Sequence, residues 1–248
     1  MRNILELAAW QSLALALGAI VVQSRTLGLL SAAFMSLPIL ADADGARCDG
    51  GQVSVTAPSY PLVQSVCDSV ARTLALLDQC DLQLSEPIAI SIFDNLPNLS
   101  HNCFGFYECD SNRIWLRSPD SIAKVVGQSP LYLGFEAKVV FDSIVAHEVA
   151  HAAFAQTACE DATCLANHEY VAYVVQMWSL PPSVRDEIVA RFGQDEPVEP
   201  LRLNAMIAVM APEKFAALAW QHFNEADHGC DFVQDLATGR TSLAIVWE

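Results

Sequence analysis

The stretch that decides the fold is residues 131–158, LYLGFEAKVVFDSIVAHEVAHAAFAQTA. After Gly134 it contains neither glycine nor proline, and its apolar residues recur at helical spacing, which predicts one long helix over Leu131–Ala158. Within this helix lies the pentapeptide His147-Glu148-Val149-Ala150-His151. Because residues four positions apart share one face of a helix, both imidazoles can reach a single metal ion.

Chance rarely produces this H-E-x-x-H pattern. At this composition we expect it in roughly 0.7% of chains of this length. The residues on both sides are apolar, so two histidines and a glutamate would be costly to bury without a partner. A metal ion would be that partner. The alternative is a partly exposed helix face that carries the motif by coincidence.

A zinc site built on this helix needs a third protein ligand. The residue six positions after His151 is Thr157, which excludes the class of zinc peptidase with a histidine or aspartate there. Glu169 lies 18 residues after His151, on a second helix predicted over Cys164–Leu180. That interval lets one helix end and an antiparallel one begin, so Glu169 is the favoured third ligand.

Two other residues compete with Glu169 for that role. Glu160 lies in the predicted loop between the two helices, and His168 precedes Glu169 directly. Adjacent residues of a helix point about 100° apart, so only one of His168 and Glu169 can face the metal well.

These segments resemble the gluzincin clan of zinc peptidases, in particular its small MA-like domains. Glu169-Tyr170-Val171-Ala172-Tyr173 matches the pattern of their second helix. Gly105-Phe106-Tyr107 and Arg113-Ile114-Trp115-Leu116 resemble the hairpin that precedes their active-site helix. The resemblance covers roughly residues 60–192.

The resemblance implies an exported zinc peptidase with a zincin-like fold. It implies hydrolysis of peptide bonds by a metal-activated water, with Glu148 as the general base. The zinc ligands, one ion per chain, would be His147, His151 and Glu169. The substrate would be a peptide or a protein. The alternative is a non-catalytic, disulfide-stabilised zinc- or peptide-binding protein on the same fold, although such a protein has no need of Glu148.

Peptide hydrolysis also needs a donor that stabilises the developing oxyanion. The candidates are Tyr170, Tyr173, His222 and His228. The alternatives are core packing for the tyrosines and surface or helix-capping positions for the histidines. Thermolysin-type domains orient a metal-binding histidine with an aspartate four residues after the glutamate ligand. Tyr173 occupies that position, so Asp142 is the remaining candidate for this contact.

All eight cysteines lie after residue 43. An even number in this part of the chain suggests four disulfides and an oxidising compartment. Cys103 with Cys109, and Cys159 with Cys164, are close enough in sequence to close short loops. Cys67 with Cys80 is a weaker pair, and the connectivity stays open. A zinc–thiolate cluster is disfavoured because no C-x-x-C spacing occurs.

The N-terminus has the pattern of an export signal. Arg25 is followed by an apolar run, residues 26–41, that contains no charged residue. Ala41-Asp42-Ala43 then has the small residues of a signal-peptidase site. We therefore expect residues 1–43 to be removed. Residues 7–22 form a second apolar run. It belongs either to a start site assigned too far upstream, which we favour, or to a membrane segment that would anchor a structural protein. The expected location is therefore periplasmic or secreted, with membrane contact only if residues 7–22 are retained.

The remaining pattern predicts an α+β fold in one domain over residues 44–248. Strands and a hairpin come first, and helices follow. A formal net charge of −16 repels phosphate backbones and disfavours nucleic acid as a partner. The predicted elements are strands 53–56 and 88–93, a helix over 60–77, a hairpin over 104–116, a helix capped by Ser183 that ends at Gly193, and helices over 201–210 and 212–224.

Overall fold

Five short strands form one mixed sheet on which the helices pack. The computed structural model describes residues 46–94, 103–157 and 165–244. The order of the strands in the sheet is β1-β2-β3-β5-β4. The strands are β1 (Ala46–Arg47), β2 (Val53–Thr56), β3 (Ile88–Phe93), β4 (Gly105–Glu108) and β5 (Arg113–Arg117).

The central strands of the sheet are parallel and its two edge strands are antiparallel. β2 pairs with β3 and β3 pairs with β5 in parallel registers. β4 pairs antiparallel with β5, which confirms the predicted hairpin. Because β4 is the last strand in the order, its second edge pairs with no other described strand. Two backbone groups of β4 bond side chains instead: the Tyr107 N–H donates to Glu148, and the Gly105 carbonyl accepts from the Cys103 thiol.

Eight α-helices occur in the described part of the chain. The helices are α1 (Tyr60–Asp78), α2 (Pro119–Val125), α3 (Ala137–Ala155), α4 (Leu165–Ser179), α5 (Pro182–Phe192), α6 (Ala205–Met210), α7 (Pro212–Phe223) and α8 (Cys230–Ala237). The longest two have 19 residues each: α1 connects β2 to β3, and α3 carries the H-E-x-x-H motif and packs on β4 and β5.

The motif-bearing helix α3 lies at the centre of the core. Twelve of its 19 residues are buried. It packs against α1, α4 and the β4–β5 hairpin. A helix that is apolar on nearly all sides is stable only in the interior, which is why the motif is flanked by apolar residues.

The α+β prediction is confirmed, and the differences are helix ends and two helices that the sequence pattern missed. α3 begins at Ala137 rather than Leu131, because Gly134 adopts a positive φ of 90° and ends a short turn there. Ser183 does not cap a helix, since α5 already begins at Pro182 with Pro181 as its N-cap. Proline suits the first helical turn, where its missing N–H costs nothing. α2 and α8 were not predicted.

Two disulfides brace the described part of the molecule, and neither was a favoured prediction. Cys48 pairs with Cys67, which ties the turn after β1 to α1. Cys80 pairs with Cys230, which ties the segment after α1 to the start of α8. The second bridge spans 150 residues of sequence, so no local pattern could reveal it. Disulfides persist in oxidising compartments, so both bridges suggest an exported protein.

The predicted pair of Cys103 with Cys109 is wrong, because both are free thiols. β4 occupies the residues between them, and six extended residues span about 20 Å. A disulfide needs Cα atoms within about 7 Å. The expectation of four disulfides, which would leave no free thiol, is therefore also wrong. Cys159 and Cys164 lie outside the described residues.

The predicted export signal over residues 1–43 also lies outside the described residues, as does the apolar run 7–22. Within residues 46–94, 103–157 and 165–244, none of the helices has both the length and the apolar character needed to span a bilayer.

Candidate metal centre

Helices α3 and α4 bring three ligand-type side chains together. His147 and His151 lie on one face of α3, and Glu169 projects from α4. The Nε2 atoms of the two histidines are 3.0 Å apart. The Glu169 carboxylate oxygens lie 3.8 Å from Nε2 of His147 and 3.7 Å from Nε2 of His151. All three ligand atoms lie within 4.8 Å of one another, so the cluster could hold a metal ion.

The donor chemistry of this cluster fits a divalent transition metal. Two imidazole nitrogens and one carboxylate oxygen form a common ligand set for such ions. Only one of the three groups carries a formal charge, so two positive charges on the ion would leave the site with a small net positive charge.

The cluster opens onto a broad cleft of about 1040 Å³. The side chains of His147, His151 and Glu169 are 12%, 15% and 21% exposed, so they are accessible from this cleft and not sealed in the core. β4 forms one wall through Gly105, Phe106 and Tyr107, and α6 contributes Ala208 and Val209. A ligand in the cleft can therefore reach the candidate metal position.

Burial sets the charges of the three groups when no metal is bound. It lowers the pKa of the His147 imidazole to about 4. It also holds the pKa of His151 well below its usual range, and the neighbouring His147 and His168 add to this effect. Burial raises the pKa of Glu169 to about 7. Both imidazoles are thus neutral at neutral pH, which is the form that ligates metals.

Gln176 orients His147, and sequence reasoning missed it. Its Oε1 accepts the Nδ1–H of His147 at 3.0 Å. Its Nε2 donates to Tyr132 Oη at 2.6 Å and to Ser143 Oγ at 3.2 Å. Ser143 donates its own proton to the Val140 carbonyl at 2.8 Å, so it accepts from Gln176. The network therefore directs the amide oxygen to His147 and leaves His147 Nε2 available for a metal.

A sequence signal for Gln176 exists. It lies seven residues after Glu169, which is two turns of α4, so both occupy the same face. The prediction that Asp142 orients a metal-binding histidine is wrong. Asp142 bonds instead to Lys138, with Nζ and Oδ2 2.8 Å apart, and to Arg72 at 3.5 Å. Five positions along a helix correspond to about 140° of rotation, which directs Asp142 away from His147.

Glu148 lies beside the ligand cluster and under the edge strand β4. Its side chain is buried, and the backbone N–H of Tyr107 donates to its carboxylate. Among the described residues no partner bonds its buried Oε2. Burial raises the pKa of Glu148 well above its usual range, and the charge of Glu169 adds to this.

The position of Glu148 depends on a glycine in β4. A Cβ added to Gly105 would lie 3.0 Å from Glu148 Oε1 and 2.8 Å from a methyl carbon of Leu116. Any side chain there would displace the carboxylate or the strand. Gly105 thus lets an edge-strand backbone pass directly over the carboxylate.

His168 does not belong to the ligand cluster in the described structure, whereas its neighbour Glu169 does. The His168 ring packs edge-on against Phe154, with ring centroids 4.8 Å apart, and its centroid lies 6.0 Å from that of His151. The other competitor, Glu160, lies outside the described residues.

The four predicted oxyanion donors separate into two places. Tyr173 lines the cleft, and its ring centroid lies 4.6 Å from that of His147. Tyr170 Oη lies 2.9 Å from His222 Nδ1, and the His222 ring stacks on His228 with centroids 3.7 Å apart. Tyr170, His222 and His228 are not among the residues that line the cleft, because one position along α4 rotates Tyr170 away from Glu169.

Fold and site together define a class: an α+β protein with a histidine–histidine–glutamate candidate metal centre on two packed helices. The chain belongs to the Family of unknown function (DUF6639), whose model matches residues 53–246. No curated protein and no solved structure matches the chain.

Proposed function

We propose that this protein is an exported zinc peptidase that hydrolyses peptide bonds in the cleft between β4 and α4. The observation that carries the proposal is the position of Glu148. Its buried carboxylate lies beside the cluster of His147, His151 and Glu169, with one oxygen unbonded among the described residues. A site that only bound a metal would need the ligands but not this neighbouring carboxylate.

Zinc is the proposed ion because the ligand set is two imidazole nitrogens and one carboxylate oxygen. The cleft leaves one side of this ligand set open. This is the ligand set of the gluzincin peptidases that the sequence resembles. A bound zinc ion supplies Lewis-acid chemistry, in that it polarises a carbonyl group and makes water more acidic. His147, His151 and Glu169 would hold it, and Gln176 would keep the His147 proton on Nδ1.

Glu148 performs the proton transfers in this proposal. Its carboxylate accepts a proton from the attacking water as the new bond to the carbonyl carbon forms. The same carboxyl group then passes the proton to the amine nitrogen as the carbon–nitrogen bond breaks. Tyr173, which lines the cleft beside His147, is the proposed donor to the oxyanion.

The edge strand β4 supports a polypeptide as the substrate. Gly105, Phe106 and Tyr107 line the cleft, and the outer edge of β4 pairs with no described strand. An extended peptide can hydrogen-bond to such an edge as an additional strand, through the backbone groups that Glu148 and Cys103 leave unbonded. This would place a scissile bond between β4 and the ligand cluster. The two disulfides support a periplasmic or secreted location.

The decisive experiment replaces Glu148 by glutamine. Glu148→Gln is nearly isosteric but cannot accept a proton, so peptide cleavage should fall by about 10²–10⁴-fold. Zinc content, measured by elemental mass spectrometry, should stay at one ion per chain. Cleavage is measured on a broad peptide library with zinc-loaded protein.

The matched control is Glu136→Gln, which removes a carboxylate from an exposed residue at the start of the same helix. It should leave both zinc content and cleavage unchanged. Cleavage by Glu148→Gln at the parent rate would show that the activity arises elsewhere. One bound zinc ion without cleavage of any library peptide would instead favour the non-catalytic binding protein.

A further inference from the structure

Exposed apolar side chains concentrate on α6 and the turn before it. Burying such residues normally stabilises a fold, so a group of them at the surface marks a contact site. α6 has only six residues and packs against α4 and α7. The exposed residues are Leu201 at 76%, Met206 at 71%, Val209 at 66% and Met210 at 77%.

The exposed face of α6 borders two cavities that meet at one residue. Val209 lines the cleft that contains the candidate metal centre. Met210 lines a second cavity, of about 420 Å³. Tyr173 lines both cavities, and its ring lies beside His147. The second cavity is therefore the immediate neighbour of the ligand cluster, with Tyr173 between them.

The lining of the second cavity is mainly apolar. Phe104 and Tyr132 meet edge to face in its wall, with ring centroids 5.4 Å apart. Leu131 and Met210 add aliphatic surface, and Glu213 is the one charged residue among those that line it. A volume of about 420 Å³ lies within the range of pockets that bind small organic groups.

We propose that this second cavity is a specificity pocket, which accepts one large apolar side chain of the polypeptide held in the cleft. The inference rests on the peptidase proposed above and assigns its substrate class: extended segments with a large aliphatic or aromatic residue next to the scissile bond. Adjacency at Tyr173 carries it: Tyr173 lines this cavity and the cleft and lies beside His147, so a polypeptide held at the ligand cluster passes directly by the cavity.

α6 also provides a matched pair of variants. Met206 and Met210 belong to the same helix and are similarly exposed, but only Met210 lines the cavity. Met210→Glu places a carboxylate at the cavity wall, whereas Met206→Glu adds the same charge outside it. Both changes are at the surface, so neither disturbs the core.

The first measurement is cleavage of a peptide library by zinc-loaded parent and variants. The parent should select large apolar residues at one fixed position relative to the cleaved bond. Met210→Glu should reduce kcat/KM for those peptides by about tenfold or more relative to peptides with alanine there. Met206→Glu should keep the parent preference. Equal preferences in Met210→Glu and the parent would overturn the proposal.

The second measurement does not depend on activity. In protein labelled at the methionine methyl groups with carbon-13, N-acetyl-phenylalanine amide should shift the NMR signal of Met210 and leave that of Met206 unchanged. N-acetyl-serine amide should shift neither. A shift at Met210 in a protein that cleaves nothing would separate a valid pocket from a failed peptidase proposal.

Two results, one from this titration and one from the oligomeric state of the parent and the two variants, would contradict the pocket. The first is the absence of any shift at Met210 with the phenylalanine compound. The second is a concentration-dependent dimer that both glutamate variants abolish, since this would make the apolar face of α6 an interface between copies of the chain.

Discussion

Two adjacent residues of α4 face two different histidine pairs. Glu169 lies against His147 and His151, and the three groups surround one point at the base of an open cleft. Tyr170 lies against His222 and His228, which stack on each other with ring centroids 3.7 Å apart. The first group could hold a metal ion, and the second is a ring stack in which His222 is buried and His228 is partly exposed.

The difference shows that two neighbouring histidines do not by themselves make a metal site. At the first pair, Gln176 bonds Nδ1 of His147 and leaves Nε2 directed toward a carboxylate. At the second pair, Tyr170 occupies Nδ1 of His222, while Nε2 is buried without a partner among the described residues. Nδ1 is bonded at both pairs, so what distinguishes the first pair is a third ligand, Glu169, within reach of both Nε2 atoms.

The strongest test of this comparison substitutes Glu169 and Tyr170 separately. A protein zinc site is worth roughly 12 kcal/mol, so the loss of one of three ligands should weaken binding about 10³-fold. Glu169→Ala should show this loss in a competition titration with a chromophoric chelator. Tyr170→Phe should keep the parent zinc affinity, although it leaves His222 Nδ1 unsatisfied.

Two results would change the assignment. Parent-like zinc affinity in Glu169→Ala together with loss in His168→Ala would make His168 the third ligand. Zinc loss in Tyr170→Phe as severe as in Glu169→Ala would mean that the two sides of α4 are not independent.

The second histidine pair should make the protein sensitive to acid. Burial, followed in importance by the neighbouring His228, lowers the pKa of His222 to about 4, whereas the imidazole of an unfolded chain titrates near 6.5. Glu225 opposes this shift. Because the unfolded chain binds the proton more tightly, the free energy of unfolding should fall as the pH drops from about 6.5 to about 4. The loss is at most about 3 kcal/mol.

His222→Gln isolates this contribution, because glutamine can bond Tyr170 but does not titrate. Urea unfolding of metal-free parent and variant at pH 7 and pH 4.5 provides the comparison. The parent should lose more free energy of unfolding than the variant between these two pH values. Equal losses would contradict a neutral, buried His222 as a source of acid sensitivity.

The smallest expected effect concerns Gln176, which distinguishes the first pair without ligating. Gln176→Leu removes the acceptor for His147 Nδ1–H and should weaken zinc binding by about 10–100-fold. Gln176→Glu retains an acceptor at that position and should keep more of the affinity than Gln176→Leu. Chelator titration measures both. An affinity for Gln176→Leu equal to that of the parent would show that packing alone orients His147.

Much of the fold followed from local patterns. Alternating or β-rich sequences predicted strands β2 and β3, and a turn between two such runs predicted the β4–β5 hairpin. Regular apolar stripes predicted α1 and α7. The missed parts depend on other segments. α8 is short and begins at Cys230, which is fixed by its bridge to Cys80, and the free Cys103 and Cys109 follow from the extended strand between them.

The sequence by itself determined the spacing of the candidate ligands. Helical periodicity places His147 and His151 on one face, and the 18-residue interval to Glu169 allows a second helix to return to them. These relations are local or nearly so, because a helix repeats every 3.6 residues whatever surrounds it. The neighbouring Glu148 follows from the same periodicity.

Tertiary structure decided how the two histidine pairs are completed. The local pattern of α4 places Glu169, Tyr173 and Gln176 on one face, but it does not state that this face meets α3 while Tyr170 meets His222. That choice depends on how α4 is rotated about its axis when it packs against both α3 and α7. The packing of apolar faces from segments far apart in sequence sets this rotation, so only the folded chain separates the candidate metal centre from the buried pair.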